Sequence, residues 1–420
     1  MALASLAKVG SAADVTAHNI VEVRDDGSIV FKNDWQARTY CHRDVLRCAP
    51  LAREAQTAFE TAILALAQAA QTLTGSRKLV AAGGAFLNIL GNSLVARSGY
   101  FDDFYVPSAP HDAGISVGCA FVGFWSRSEP SQIPRGKAVD RMGPPYDIRV
   151  ARASLARRSD QLFVQRINSE AEIAVLLEEG AIVARHSGRS EFGPRALGAR
   201  SLLASPLRAD SKARLNLIKG RQPWRPLAPV ICEEALAEYF AGPLESPYMN
   251  FVHQIHELHR QSLPALEHAD GSTRAQTLRQ SDDPSLFALL MEFKRRTGYP
   301  ILCNTSLNGE REPIVETPEE AIMFFETHGD VDALLIEDLL IRRHPSPSTL
   351  PTKPRADTIV SILYPGEGRR ITLLIRREIS LEICPDTLDL LNCGRPVLAE
   401  DLSEGVRNEL WQAWRLGLIE

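Results

Sequence analysis

The stretch GRSEFGPRALGARS, Gly188 to Ser201, decides how the rest of the chain is read. Arg189, Arg195 and Arg200 stand among Gly188, Gly193 and Gly198, in an order that neither a helical nor a strand period explains. A guanidinium offers a planar fork of donors that fits phosphate or carboxylate, and glycines let backbone amides approach the same anion. The run reads as a built anion site. Downstream, KGRQPWRPLAP adds Lys219, Arg221 and Arg225, with Pro223, Trp224 and Pro226 stiffening the chain between and beyond them. The plain alternative is a pair of solvated loops, since arginines beside Gly-Pro turns commonly face water. Six cations in two Gly/Pro-punctuated runs favour one phosphate-handling surface.

The surrounding pattern is that of an α/β (α+β) protein. Leu51 to Gly75 carries apolar residues at helical spacing and ends on a glycine. Lys78 to Ala82 reads as a short strand, Gly83-Gly84 as a tight turn and Ala85 to Ala96 as a helix, a plan that suits nucleotide or substrate contact. Phe104 to Pro107 repeats it, with a helix from about Ala113. The first unit spans 1–150, and the basic run Arg149 to Asp160 reads as a connection. A second α/β domain, 165–343, opens with a helix over Glu170 to Glu179 and a strand over Ala181 to Arg185, and closes on the strand-like ALLIEDLLIRR. Residues 344–358 have linker composition. A small module, 359–420, pairs Ile359 to Tyr364 with Arg370 to Arg376 ahead of two helical segments.

At 420 residues the chain exceeds one ordinary core, and its 24% charged content is that of a globular protein. A net charge of −5 gives no general affinity for nucleic acid or anionic membrane, so the arginine clusters are a local signal. Seven scattered cysteines with no Cys-x-x-Cys pair argue for a reducing cytoplasm and against a zinc knuckle or disulfide framework. The first residues lack a basic n-region, and no stretch reaches membrane-spanning length.

Other candidates have competing readings. Asn88 and Asn92, four apart beside Gly83 and Gly84, suit a grip on ribose or sugar hydroxyls; they equally suit helix capping. Asp112 fits a plain N-cap, or with His111 a hard or borderline metal. His253, His256 and His259 recur by threes on an expected helix and read as a solvated face. His268, Asp270 and Arg274 form a polar loop that shapes a pocket or binds Mg²⁺ and phosphate. A Ser/His/Asp hydrolase would want a Gly-x-Ser-x-Gly elbow, which does not accompany it.

Six blocks, in order, resemble the signature blocks of the carbamoyltransferases of the NodU/CmcH family: GGAFLNILGN (Gly83 to Asn92), VPSAPHDAGISVGCA (Val106 to Ala120), GRSEFGPRALGARS, KGRQPWRPLAP, HADGSTRAQT (His268 to Thr277) and PILCNTSLNGEREPIVETPEEA (Pro300 to Ala321). The resemblance implies a partial actin-like, ASKHA-type lobe similar to tRNA threonylcarbamoyladenosine transferases, followed by a YrdC-like domain. The latter would use Lys219 and Arg221, and Ser306 and Asn308 with Asn304, around phosphate and nucleotide. Arg195 and Arg225 would share the catalytic charge, and Arg189 and Arg200 would bind substrate. Asp112 maps onto an aspartate that helps hold iron or a similar metal.

Function follows as an expectation: ATP with Mg²⁺ and carbamoyl phosphate give carbamoyl adenylate, and the carbamoyl group passes to a hydroxyl of a small-molecule or sugar acceptor. Modification of tRNA is the weaker reading, because no basic stripe with interleaved aromatics is present. The family's opening segment, which supplies a His-x-x-x-His metal pair, has no counterpart here, since Met1 to Gly10 resembles a stretch normally well inside the chain. A separate polypeptide, a truncated remnant or an upstream start would each account for that. In the first case this chain is a nucleotide-binding, half-catalytic or non-catalytic subunit.

Overall fold

The structure, a computed structural model, describes residues 21–24, 28–31, 49–128, 140–158, 162–343, 349–350, 354, 358–363, 371–376, 379–393, 397–398, 402–415 and 418–419. They form two compact units, Met1–Arg158 with Val164–Arg342, and Ser159–Phe163 with Arg343–Glu420.

The first unit opens with an antiparallel hairpin, β1 (Val21–Val23) and β2 (Ile29–Phe31), and a long helix, α1 (Ala49–Thr74). As expected from its apolar spacing, α1 buries Ala58, Ala62, Ile63 and Ala67 along one face. β3 (Lys78–Val80) leads through a 3₁₀ turn, Gly84–Leu87, into α2 (Ile89–Arg97); β4 (Asp103–Tyr105) pairs parallel to β3 and is followed by α3 (Ala113–Trp125). The helix expected over Ala85 to Ala96 is thus divided, because Asn88 takes up an extended conformation and caps α2 instead of joining it. Arg149 to Asp160 is another correction: it begins as a helix, α4 (Ile148–Ala156), capped by Asp147. Ala151 and Leu155, four apart, are its buried stripe, and the basic side chain of Arg158 just beyond it pairs with Glu319 and Glu326.

Along the chain there follow β5 (Leu162–Arg166), α5 (Ala171–Glu178), β6 (Val183–His186), β7 (Arg200–Ala204), α6 (Asp210–Ile218), β8 (Ala228–Cys232), α7 (Leu236–Tyr239), β9 (Phe240–Ala241), β10 (His253–Ile255), α8 (Glu257–Arg260), β11 (Ser272–Thr273), β12 (Gln276–Leu278), α9 (Pro284–Thr297), β13 (Ile301–Ser306), α10 (Pro318–Thr327), β14 (Ala333–Ile336) and β15 (Leu339–Arg343). Eight strands make a mixed sheet in the order β12-β8-β13-β7-β6-β14-β15-β5. ALLIEDLLIRR is a hairpin, not one strand, since Glu337 turns the chain with a φ of 51°. The three histidines of the supposed helical array divide between β10, its end and α8.

Sheet and helices meet in a core of Leu203, Val230, Leu302 and Leu335 against Ile173 and Leu177 of α5 and Leu286, Leu290 and Phe293 of α9. α9 has unambiguous ends. Asp283 accepts from Leu286 N, Pro284 sits in the first turn, three cations occupy the last turn, and Gly298 closes the helix at φ 88°. Asp283 also receives a bidentate pair from Arg185 of β6, at 2.8 and 3.0 Å, and a third bond from Arg141 at 2.9 Å. Burial would push this carboxyl up, yet the two guanidinium groups and the amide of Leu286 hold it well below the carboxylate range.

In the second unit β17 (Ile359–Leu363), β18 (Ile371–Arg376) and β19 (Ile379–Ile383) form an antiparallel sheet, with α11 (Pro385–Cys393) and α12 (Glu404–Arg415) after it. Leu374, Leu381, Ile383, Leu388, Leu391, Leu410 and Ala413 make its core. A pair of two-residue strands, β16 (Thr349–Leu350) and β20 (Val397–Leu398), draws part of the expected linker into the unit; most of 344–358 lies outside the described residues. Among the described residues no helix is long and apolar enough to cross a membrane.

Arg185 is only 1% exposed, so Asp283→Ala leaves its charge buried without compensation. A loss of about 3–5 kcal/mol is expected, read as a lower urea midpoint at unchanged slope.

Candidate functional site

Between β6 and β7 the glycine-arginine loop runs outside the sheet and is buried from Ala196 to Ala199, so the peptide groups there must find partners elsewhere. They find side chains. Glu191 accepts from the amides of Leu197 and Ala199 at 2.7 and 2.6 Å. Asn304 donates to the carbonyl of Ala196, Gln276 to that of Leu197 and Arg185 to that of Gly198. The amide of Gly198 reaches Ser201 Oγ at 3.0 Å, and Asn304 is braced on Gln276 at 2.7 Å. At Gly193, with φ 135°, a Cβ would lie 2.5 Å from the carbonyl oxygen of Ser108; only glycine lets the loop press so closely on the N-terminal part.

Two clefts flank this loop, with Arg195 lining one and Phe192 the other. The Arg195 cleft, of about 250 Å³, has a cationic wall of Arg195, Arg221, Arg225 and Arg274 and an apolar wall that includes Ile89, Leu90, Leu227 and Val252. Among the described residues none of these arginines forms an ion pair. Nη2 of Arg221, Nε of Arg274 and the hydroxyl of Thr273 are buried and unpartnered. Burial lowers Arg195; burial and Arg225 bring Arg221 down to about 10; burial, with Arg195 and Arg221, brings Arg274 down to about 9. These three remain charged at neutral pH, and with Arg225 beside them the cleft is suited to a multiply charged anion.

Two family models fall on this architecture: Carbamoyltransferase N-terminus matches residues 18–121, and Carbamoyltransferase C-terminus matches residues 174–343, which contain the loop and the four arginines. The chain belongs to the NodU-type carbamoyltransferase family. It is 36% identical to nodulation protein NolO of Bradyrhizobium diazoefficiens over 315 residues, covering 73% of this chain and 56% of that protein. Nodulation protein NolNO of Sinorhizobium fredii is 36% identical over 300 residues, 70% of this chain and 44% of its own. Nodulation protein U of B. diazoefficiens is 37% identical over 241 residues, 56% and 40%. The chain thus spans about half the length of these relatives. Among solved structures, full-length HypF in the phosphate- and nucleotide-bound form aligns over 60% of this chain and 34% of its own at 15% identity, with a TM-score of 0.29.

The two pairs expected around phosphate and nucleotide, Lys219 with Arg221 and Ser306 with Asn308, divide into two groups. Lys219, at the end of α6, donates to the carbonyl and hydroxyl of Ser306 at 2.7 and 2.8 Å and to Asn308. Arg221 instead turns to the cleft, tethered by Nε to Asn216. Burial and Arg221 lower Lys219 to about 7, against a weaker pull from Glu312. Arg200, expected to bind substrate, is fully buried and spends its donors on the carbonyls of Glu316, Ser187, Ala199 and Gly188, with the Tyr146 ring 5.8 Å away. Asn304 too is a brace within the scaffold, as its bonds to Ala196 and Gln276 require. Arg189 is exposed and donates to Gly143 O at 2.9 Å.

Asn88 and Asn92 likewise serve the scaffold. Asn88 accepts from Gly91 N and exchanges amide bonds with Gln56; Asn92, 1% exposed, donates to the carbonyls of Phe86 and Asn250. Gly83 and Asp112 do share the Phe192 cleft, of about 450 Å³, whereas Gly84 starts the 3₁₀ turn. Asp112 has helical dihedrals and makes no cap bond, and Nδ1 of the adjacent His111 is buried without a partner. Among the described residues no group of three His, Cys, Asp or Glu could hold a metal, so these two do not fit a resident ion by themselves. The residues that sequence reading left unassigned are Glu191 and Gln276, whose roles depend on distant backbone. Arg274 was visible as a cation in HADGSTRAQT, but its burial was not.

Folding lowers the Lys219 pKa from the ordinary 10.5 to about 7, so between those values the unfolded chain binds more protons and stability rises with pH. Lys219→Met is expected to flatten that rise, measured by urea unfolding at several pH values across the window.

Proposed function

We propose that the chain carries the carbamoyl-activating half of an O-carbamoyltransferase, and that the Arg195 cleft is where activation occurs. The carrying observation is a set of four guanidinium groups on one cleft, half-buried at Arg195, Arg221 and Arg274 and exposed at Arg225, with no carboxylate partner among the described residues. In this reading carbamoyl phosphate loses its phosphate to water, giving carbamate and inorganic phosphate. A carbamate oxygen then attacks the α-phosphorus of magnesium-bound ATP, the bond to the β-phosphate oxygen breaks, and carbamoyl adenylate and pyrophosphate form. Arg195, Arg221, Arg225 and Arg274 offset the charge brought together in that step, and the apolar wall takes the purine. Lys219 holds the Ser306-Asn308 corner behind Arg221. An acceptor hydroxyl then attacks the carbamoyl carbon, loses its proton, and AMP leaves; the second cleft, with Gly83, Asp112 and Phe192, is suited to this exchange. The actin-like character of the first part and the YrdC-like character of the middle part belong to the same proposal.

A second reading, that transfer needs a separate polypeptide, is favoured by α3. None of its residues is buried, and Ile115, Val122 and Trp125 are 63%, 62% and 46% exposed. β3 and β4 make a two-stranded parallel sheet on which Val80 is 73% exposed, although parallel sheets are ordinarily covered on both faces. In that case the isolated chain releases pyrophosphate, and release of AMP to a hydroxyl acceptor awaits the partner.

Purified chain given ATP, Mg²⁺ and carbamoyl phosphate is expected to release pyrophosphate only when all three are present. Arg221→Ala should reduce release by at least about a hundredfold. Persistence at the unaltered rate would place the reaction elsewhere.

A further inference from the structure

One side chain of the Arg195 cleft has the wrong sign for a phosphate site. Asp270 lines the same cavity as four arginines and is the only acidic side chain among its lining residues, yet it pairs with none of them. Its Oδ1 is fully engaged: it accepts from His268 Nδ1 at 3.1 Å, from the amide of Ser272 at 3.1 Å and from the hydroxyl of Ser272 at 2.5 Å. Three donors on one oxygen fix the carboxylate plane and leave Oδ2 as an oriented acceptor. Burial opposes the charge, but the bonds from His268 and Ser272 hold this carboxyl well below the ordinary range, so it is ionised at neutral pH.

A carboxylate that repels phosphate belongs where the ligand presents a hydrogen-bond donor. Resting on the activation reading above, we propose that Asp270 selects the carbamoyl group, its Oδ2 accepting a hydrogen bond from the carbamoyl amino group. Carbamoyl phosphate is an acceptor at its phosphate end and a donor at its amino end, and the cleft is donor on its arginine wall and acceptor at Asp270. Acetyl phosphate has nearly the same shape but places a methyl group where the amino group stands. Facing it, the carboxylate would lose its solvation without gaining a bond, the situation in which a polar site rejects an analogue strongly.

Asp270→Asn separates this role from others. Because Oδ1 must still accept three donors, the amide of the variant would turn its NH₂ toward the substrate, donor against donor. Calorimetric titration of the full chain with carbamoyl phosphate, acetyl phosphate and inorganic pyrophosphate gives the test. The wild type is expected to bind carbamoyl phosphate more tightly than acetyl phosphate. In the variant, carbamoyl phosphate should weaken on the order of a hundredfold, acetyl phosphate should hold or tighten, and pyrophosphate, which addresses the arginines, should be unweakened, which also reports a folded cleft. Equal weakening of both acyl phosphates overturns the proposal, as does an unchanged preference accompanied by weaker binding of ATP or Mg²⁺, which would assign Asp270 to ribose or the metal ion. If neither acyl phosphate binds the wild type while pyrophosphate does, the activation reading itself fails and the selection role falls with it.

Discussion

A backbone segment that passes through a protein interior outside helix and sheet must have its amides and carbonyls paired one by one. From Ala196 to Ala199 that pairing is done almost wholly by side chains brought from elsewhere: Glu191 within the loop, Arg185 on β6, Gln276 on β12 and Asn304 on β13. Three alternate strands of one sheet, β12, β13 and β6, therefore converge on a single short peptide. Through it the positions of Arg195 and, across Gly193, of Ser108 are set together. The placement of both clefts depends on this pairing.

Six arginines of the middle part fall into two kinds that composition does not distinguish. Arg185 and Arg200 are almost completely buried and act as multidentate donors, the first to Asp283 and Gly198, the second to four carbonyls. Their charge is absorbed by the protein. Arg195, Arg221, Arg225 and Arg274 lie at one cleft and, among the described residues, none of them is paired with an acid. Chemistry is to be sought with the second kind, because only unspent donors can meet a ligand.

Much of the fold was legible in the chain. The apolar spacing of α1, the strand before Gly83 and the helix after Asp112 declare themselves locally. What escaped was decided at a distance. α4 resembled a basic connection because Arg158 only acquires its carboxylate partners from α10, over 150 residues later. A single left-handed residue, Glu337, divides an apolar run that has no glycine to announce a turn. In the site, the clustering of cations was visible, and Lys219, Ser306 and Asn308 do meet. Arg195 and Arg200, five residues apart in one motif, were indistinguishable, since the carbonyl of Glu316 that engages Arg200 lies on a segment with no sequence signal for the role. Asn88 and Asn92 were ambiguous for a related reason: an amide that caps a helix and one that grips a sugar are the same residue type.

The unspent cations bear on how the protein responds to its solution. Four guanidinium groups on one cleft repel one another, and that repulsion adds to burial in easing proton loss from Arg221 and Arg274. Any multivalent anion that settles among them relieves the repulsion in the folded state and has no comparable seat on the unfolded chain. Sulfate or phosphate in a buffer then behaves as a stabilising additive and, by the same contact, as a competitor for any other anion that enters the cleft. Heat resistance and access to the cleft are thereby set against each other by the choice of salt.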